Sequence, residues 1–168
     1  MGKVLLGVLL CLPFAFWGGS RVYRDVIFER QVTGRIKRAA DANSVKLAKQ
    51  ELEAVLKFLD LGNVKEGYTS ILYTTPDEDV TFWYNNLLTC YQQLKDLSVD
   101  TKQSEQDMVL MKLRQTLLDH DGGKEVVTQP KGISIFPNNT VWAFWGIFGS
   151  LLGIVGAILF MLGCTDVK

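Results

Sequence analysis

Apolar residues crowd the two ends of the chain and recur at helical spacing between them. Residues 141–163 read VWAFWGIFGSLLGIVGAILFMLG, 23 positions with no charge and a single hydroxyl, Ser150. A helix rises about 1.5 Å per residue, so this run just crosses a hydrocarbon layer about 30 Å thick. Trp142 and Trp145 stand at its start, where amphipathic rings settle at headgroup depth. The pattern predicts a transmembrane helix over 141–163. At the other end, residues 4–17 are an apolar run of 14, and Gly18, Gly19 and Ser20 lengthen the uncharged stretch to 17, the lower limit for a span. We read 4–20 as a retained transmembrane anchor. A cleaved signal peptide is the alternative reading, because Lys3 gives a basic start and Gly18-Gly19-Ser20 offers small residues at a cleavage position. Bulky Trp17 and the lack of an A-x-A site argue against cleavage.

Between the ends the period is helical. Val45, Ala48, Leu52, Val55, Leu56 and Leu59 mark one helix, which Leu61-Gly62-Asn63 stops. Phe28, Val32 and Ile36 carry the same period earlier, and only Gly34 interrupts residues 21–60. The favoured reading is one long helix; a break near Asp41-Ala42-Asn43-Ser44, with Asn43 or Ser44 as N-cap, is the alternative. Residues 63–75 are a connection whose Tyr68, Ile71, Leu72 and Tyr73 cover a core edge. Thr75, Pro76 and Glu78 then form a start signal: a capping threonine, proline at the first helical position and a T-x-x-E box. Asp77, Glu78 and Asp79 suit the positive end of the helix dipole. The helix is expected to reach about Leu97 with Val80, Trp83, Tyr84, Leu87, Leu88, Tyr91 and Leu94 on its apolar face. Residues 98–103 read as a turn. A last soluble helix begins at a Ser104 cap, runs to about Asp119 on Met108, Leu110, Met111, Leu113, Leu117 and Leu118, and ends at Gly122-Gly123. Residues 126–128 and 133–135 flank Gln129-Pro130-Lys131-Gly132, which suits a type I turn and a small β-hairpin.

The predicted architecture is therefore an all-α membrane protein. Two transmembrane helices bracket a soluble antiparallel bundle of three or four helices at 21–119. A linker at 120–139, with room for a small β-hairpin, leads to the second span.

Small residues line both spans. Gly146, Gly149, Gly153, Gly156 and Gly163 follow steps of three and four, with Phe160 filling the gap, and Gly149 and Gly153 make a GxxxG pair. Lipid supplies no hydrophobic force between helices, so close backbone approach along small residues takes its place. This stripe predicts a packing face. Gly7, Cys11, Ala15 and Gly18 form a matching stripe on the first span, so the partner is either that span or another protein.

Charge refines the picture. The 18 bases and 18 acids cancel, which removes a nucleic-acid signature. Residues 21–49 hold eight bases and three acids, whereas residues 50–139 hold eight bases and fourteen acids. A basic stretch beside a span suits anionic headgroups, and flanking bases place the middle domain in the cytoplasm by the positive-inside rule. The three cysteines, Cys11, Cys90 and Cys164, allow no disulfide framework in the soluble part.

Candidate chemistry is sparse. His120 is the sole histidine; Asp119-His120-Asp121 lacks the spaced ligands of a calcium loop and a second nitrogen or sulfur for zinc. No phosphate-binding glycine loop or nucleophile motif occurs. Phe82-Trp83-Tyr84 lines either a pocket or the core. The expectation is a non-catalytic membrane adaptor or accessory subunit that uses no cofactor. It contacts the bilayer and a membrane-protein partner or further copies of itself. An extracytoplasmic sensory module that signals through a partner is the alternative.

Overall fold

The computed structural model describes residues 2–71, 74–97, 101–134 and 140–165. Leu72, Tyr73, Ser98, Ile135 and the lead-in at 137–139 lie outside that set. The chain is mostly helical, with one small antiparallel sheet. It divides into two compact units, one of Met1–Arg24 with Asn139–Lys168 and one of Asp25–Asn138.

The first unit is built on helices α1 (Gly2–Phe28) and α6 (Thr140–Thr165). Both are long and apolar enough to cross a membrane. They pack antiparallel: Gly163 lies against Val4, Gly156 against Gly7, Gly149 against Phe14 and Gly146 against Trp17.

In the second unit, helical residues continue from α1 through a single π turn, Glu29–Thr33, into α2 (Gly34–Ala40). The π turn is closed by the Gly34 N–H, which donates to the Glu29 carbonyl five residues back. A Cβ at position 34 would stand 3.2 Å from that oxygen, so glycine eases the extra residue into the helix.

The long helix favoured from sequence is interrupted at 41–44, and the alternative break is the one observed. Ser44 is extended, and its side chain accepts the Leu47 N–H at 3.4 Å, starting α3 (Val45–Leu61). The local reason is the run Asp41-Ala42-Asn43-Ser44, three of whose side chains compete for backbone hydrogen bonds. At the other end of α3 the left-handed residue is Asn63 (φ 57°) rather than Gly62. It returns the Val64 N–H to the Leu59 carbonyl at 2.9 Å.

The remaining elements depart from expectation at their ends. Pro76–Glu78 is one turn of 3₁₀ helix, and α4 (Val80–Asp96) starts after it with Asp79 as its cap. Helix α5 (Gln103–Leu117) starts without a side-chain cap, so Ser104 lies inside it. It ends at Leu117, where strand β1 (Leu118–Asp121) begins and pairs with β2 (Lys124–Val127). The expected hairpin around Gln129-Pro130-Lys131-Gly132 thus lies one element earlier, and the fold is not purely α. Gly122 (φ 55°) and Gly123 (φ 81°) supply the two positive φ angles that a two-residue hairpin turn needs.

The core of this unit is one cluster. Helix α3 contributes Ala48, Leu52, Val55, Leu56 and Leu59, at steps that hold one face. Helix α4 contributes Val80, Trp83, Leu87, Cys90 and Leu94 at alternating steps of three and four. Phe28, Val32, Ile36, Ala39, Ala40, Val64, Leu113, Leu117, Leu118 and Ile133 complete it. Met108 and Met111, expected on the buried face of α5, are 65% and 59% exposed. Arg114 ties α5 to Asp41 at 2.9 Å and to Glu125 of β2 at 2.6 Å. Glu51 of α3 holds Arg35 and Arg38 at 3.1 and 2.6 Å, so two bases of the basic stretch are engaged within the fold.

Candidate functional site

The stripe on α6 meets α1. An added Cβ on Gly7 would stand 2.7 Å from the Gly156 carbonyl oxygen, and one on Gly156 would stand 2.6 Å from that of Gly7. At these two glycines backbone meets backbone, whereas at Gly146 the atoms 2.6 Å away belong to the Trp17 ring. At Gly149 and Gly153, the GxxxG pair, the nearest atoms belong to Phe14 and lie 3.4 and 3.3 Å from the hypothetical Cβ. Gly163 lies against Val4 and Lys3, and Gly146 beneath the Trp17 indole.

The stripe expected on α1 is only half at this seam. Gly7 and Cys11 are there, with the Cys11 Sγ directed at the Gly153 carbonyl oxygen at 3.7 Å. Ala15 is exposed and Gly18 has open space where a Cβ would be. The residues that meet α6 are Val4, Gly7, Cys11, Phe14 and Trp17. Steps of four advance about 40° past a full turn and steps of three fall about 60° short. Two successive steps of four therefore carry Ala15 off the face, whereas 4, 7, 11, 14 stays on it. At one end of the seam, Trp17 Nε1 donates to the Trp142 carbonyl at 2.8 Å, Phe14 stacks on Trp17, and the Arg24 guanidinium lies 3.9 Å from the Trp142 ring centroid.

The second unit carries a groove of about 580 Å³. One part of its lining comes from the 3₁₀ turn. The expected capping box is rearranged there: Thr75 does not cap a helix, and its hydroxyl donates instead to the Glu78 carboxylate at 2.9 Å. Pro76 keeps the first position of the short turn. Asp79 accepts the Phe82 N–H at 3.1 Å and starts α4. The preceding segment fixes this turn, since Thr69 N–H donates to the Glu78 carbonyl and Val80 N–H to that of Gly67, both at 3.0 Å. Asp77 and Asp79 thereby line the groove.

The other part comes from the hairpin and the segment after it. Alternation along β1 puts Asp119 and Asp121 on one face, with Val126 directly across from Asp119. His120 alternates to the other face of the strand, yet it too borders the groove. Among the described residues, no group of three His, Cys, Asp or Glu side chains is placed to hold a metal ion. Val127, Thr128, Gln129, Pro130 and Lys131 complete this side. The Gln129 side chain accepts the Thr33 hydroxyl of the π turn at 3.0 Å.

Phe82-Trp83-Tyr84 divides three ways. Trp83 is 5% exposed, lies 6.5 Å from the Phe28 ring, and donates its Nε1–H to the Thr128 carbonyl at 3.0 Å. Phe82 is 64% exposed and lines the groove. Tyr84 turns to α3, where its hydroxyl donates to Asp60 at 2.7 Å. Burial first, then this bond, pushes the Tyr84 hydroxyl up to about 12. The same bond holds the Asp60 carboxyl below its usual range, assisted by Lys65 against an opposing effect of burial. Burial also pushes the Cys90 thiol up.

The Tyr84 and Asp60 shifts make a pH prediction. Tyr84, with a raised folded value, contributes stability that is complete below its unfolded value near 10 and is lost as pH climbs toward about 12. Asp60, with a lowered value, contributes stability above the usual carboxylate range that is lost as pH falls through its folded value. Tyr84→Phe should cost about 1 kcal/mol at pH 7. In urea titrations at several pH values, it should also flatten the loss of stability between pH 10 and 12. An unchanged alkaline slope would refute the assignment.

No family model matches this chain, and neither does any curated protein or solved structure. Its class rests on its own features: a mostly helical chain with a two-stranded sheet and two helices long and apolar enough to cross a membrane.

Proposed function

We propose that this protein is a non-catalytic integral membrane adaptor: α1 and α6 anchor it in the bilayer as a helical hairpin, and the second unit recruits a protein partner. The observation that carries this reading is the occupation of the glycine seam by the chain's own first helix. Close helix packing is used up within the hairpin, which leaves α6 with outward-facing Ile147, Phe148, Leu151 and Ile154, side chains suited to lipid tails. Partner binding then falls to the groove, where Phe82 is exposed. Flanking bases favour a cytoplasmic second unit and hence a cytoplasmic partner.

The sensory alternative draws on a different contact. The Thr33–Gln129 bond joins the groove rim to the π turn, and π turns concentrate at functional positions.

Photo-crosslinking in intact cells tests the adaptor reading. A benzophenone side chain in place of Phe82 should give a discrete protein adduct. The same group in place of Met108, which is exposed on α5 away from the groove, should not. Absence of an adduct at both positions would remove the groove as a docking site.

A further inference from the structure

We infer that the groove of the second unit takes a lysine- or arginine-bearing segment of its protein partner. The inference rests on the adaptor reading and adds the chemistry of the partner.

Charge sets the sign. Asp77, Asp79, Asp119 and Asp121 line the groove with the ammonium of Lys131 and the His120 ring, and Lys124 stands directly across the hairpin from Asp121. Among the described residues, no ion pair engages any of these four carboxylates. Two of them have one oxygen committed locally, Asp79 to the Phe82 N–H and Asp119 to the His120 N–H. Elsewhere in the unit, Glu51, Asp41, Asp60 and Glu125 each hold a cation within 3.1 Å. The groove thus brings together four carboxylates from segments about 40 residues apart in sequence.

The apolar part of the lining narrows the occupant. Phe82 is 64% exposed and Val126 40% exposed, side by side with the carboxylates. A metal ion gains nothing from an aromatic ring, and no ligand set is gathered for one among the described residues. Nucleic acid and acidic lipid carry the wrong charge. A lysine or arginine side chain uses both surfaces: its methylene stem lies on an apolar wall while its head reaches the carboxylates, and the ring face itself attracts the cation. A volume of about 580 Å³ falls within the range of ligand-binding sites, about 300–1,000 Å³, with room for a few side chains.

The test uses the full chain in nanodiscs of neutral phosphatidylcholine, with fluorescein-labelled octalysine and octaglutamate peptides as probes read by anisotropy. Octalysine should bind at low salt and octaglutamate should not. Asp77→Asn with Asp121→Asn should weaken octalysine about fivefold or more, the scale of two exposed ion pairs. Phe82→Ala should weaken it with less dependence on salt, because this substitution removes a ring and leaves every charge in place. Asp96→Asn, on the exposed end of α4 outside the groove, should leave binding unchanged. Charge reversal guards against a folding artefact: Asp77→Lys with Asp121→Lys should lose octalysine and gain octaglutamate. Failure of wild-type protein to bind octalysine at low salt, or equal binding by wild type and the double asparagine variant, overturns the inference. The two readings fail separately. Adducts at position 82 without charge-dependent peptide binding would leave the adaptor standing and remove the basic segment. Absence of those adducts would remove the groove as the adaptor's docking site whatever octalysine does.

Discussion

Trp83→Ala is expected to cost the second unit about 4 kcal/mol, a large share of the roughly 5–15 kcal/mol that holds a domain folded. Three losses add. The indole is 5% exposed, so its removal gives up the burial of a large ring and leaves a cavity among Leu87, Val80 and their neighbours in the core cluster. The packing against the Phe28 ring at 6.5 Å goes. The Thr128 carbonyl loses the Nε1–H donor at 3.0 Å, and a carbonyl left without its partner costs about 1–3 kcal/mol where water cannot replace it. Trp83→Phe separates these contributions, since it keeps most of the ring and deletes only the donor; about 1–2 kcal/mol is expected. Urea unfolding of the full chain, followed by far-ultraviolet circular dichroism, measures both. A Trp83→Ala variant within 1 kcal/mol of wild type would show that the indole is not the keystone of this core.

Trp83 also explains why the site was hard to read from sequence. Consecutive helical residues point about 100° apart, so Phe82, Trp83 and Tyr84 cannot share one pocket, and a run of three aromatics does not say which of them is left outside. Only the packing of α4 against Phe28 and Thr128 decides that Trp83 goes in and Phe82 stays out. The helical stripes of α3 and α4 were legible because period alone sets a buried face, and the apolar stretches at the two ends because length and lack of charge suffice. The boundaries were not. Thr75 and Glu78 have the spacing of a capping box, yet Asp79 stands at the same spacing from the Phe82 N–H and captures the helix start four residues later.

The hairpin was hidden for a different reason. Leu118–Asp121 and Lys124–Val127 are four residues each, and the first holds two aspartates, a composition poor in strand formers. What makes them strands is the Gly122-Gly123 turn and the Arg114–Glu125 pair. The glycine pair was the available signal: it is a helix stop only if nothing pairs behind it, and a hairpin turn if something does. The groove inherits this difficulty. Its carboxylates come from a 3₁₀ turn and from that hairpin, and the two segments meet only once the core has formed.

Gly156→Ala and Gly7→Ala should each pry the two long helices apart, whereas Gly149→Ala should be close to neutral. The ordering follows from what a side chain would meet. At Gly156 the nearest atom is a backbone carbonyl oxygen 2.6 Å from the new Cβ, and at Gly7 the atoms are the Gly156 oxygen at 2.7 Å and the Phe160 nitrogen at 2.8 Å. Backbone cannot rotate aside as a side-chain tip can, so the helices must separate and the contacts along the seam weaken together. Overpacking of this kind costs about 1–3 kcal/mol, and in lipid no hydrophobic force pulls the helices back. At Gly149 a methyl meets Phe14 at 3.4 Å, and at Gly153 the Phe14 Cβ at 3.3 Å, contacts that a small shift accommodates. The sequence pattern would instead put the greatest sensitivity at the GxxxG pair. Unfolding of the full chain in mixed micelles by rising dodecyl sulfate, read by tryptophan fluorescence, distinguishes the two orders: the seam should loosen at lower detergent for Gly7→Ala and Gly156→Ala than for Gly149→Ala or Gly153→Ala. The reverse order would mean that the helices cross at the GxxxG pair, and that the face at Gly7 and Gly156 is open to another partner.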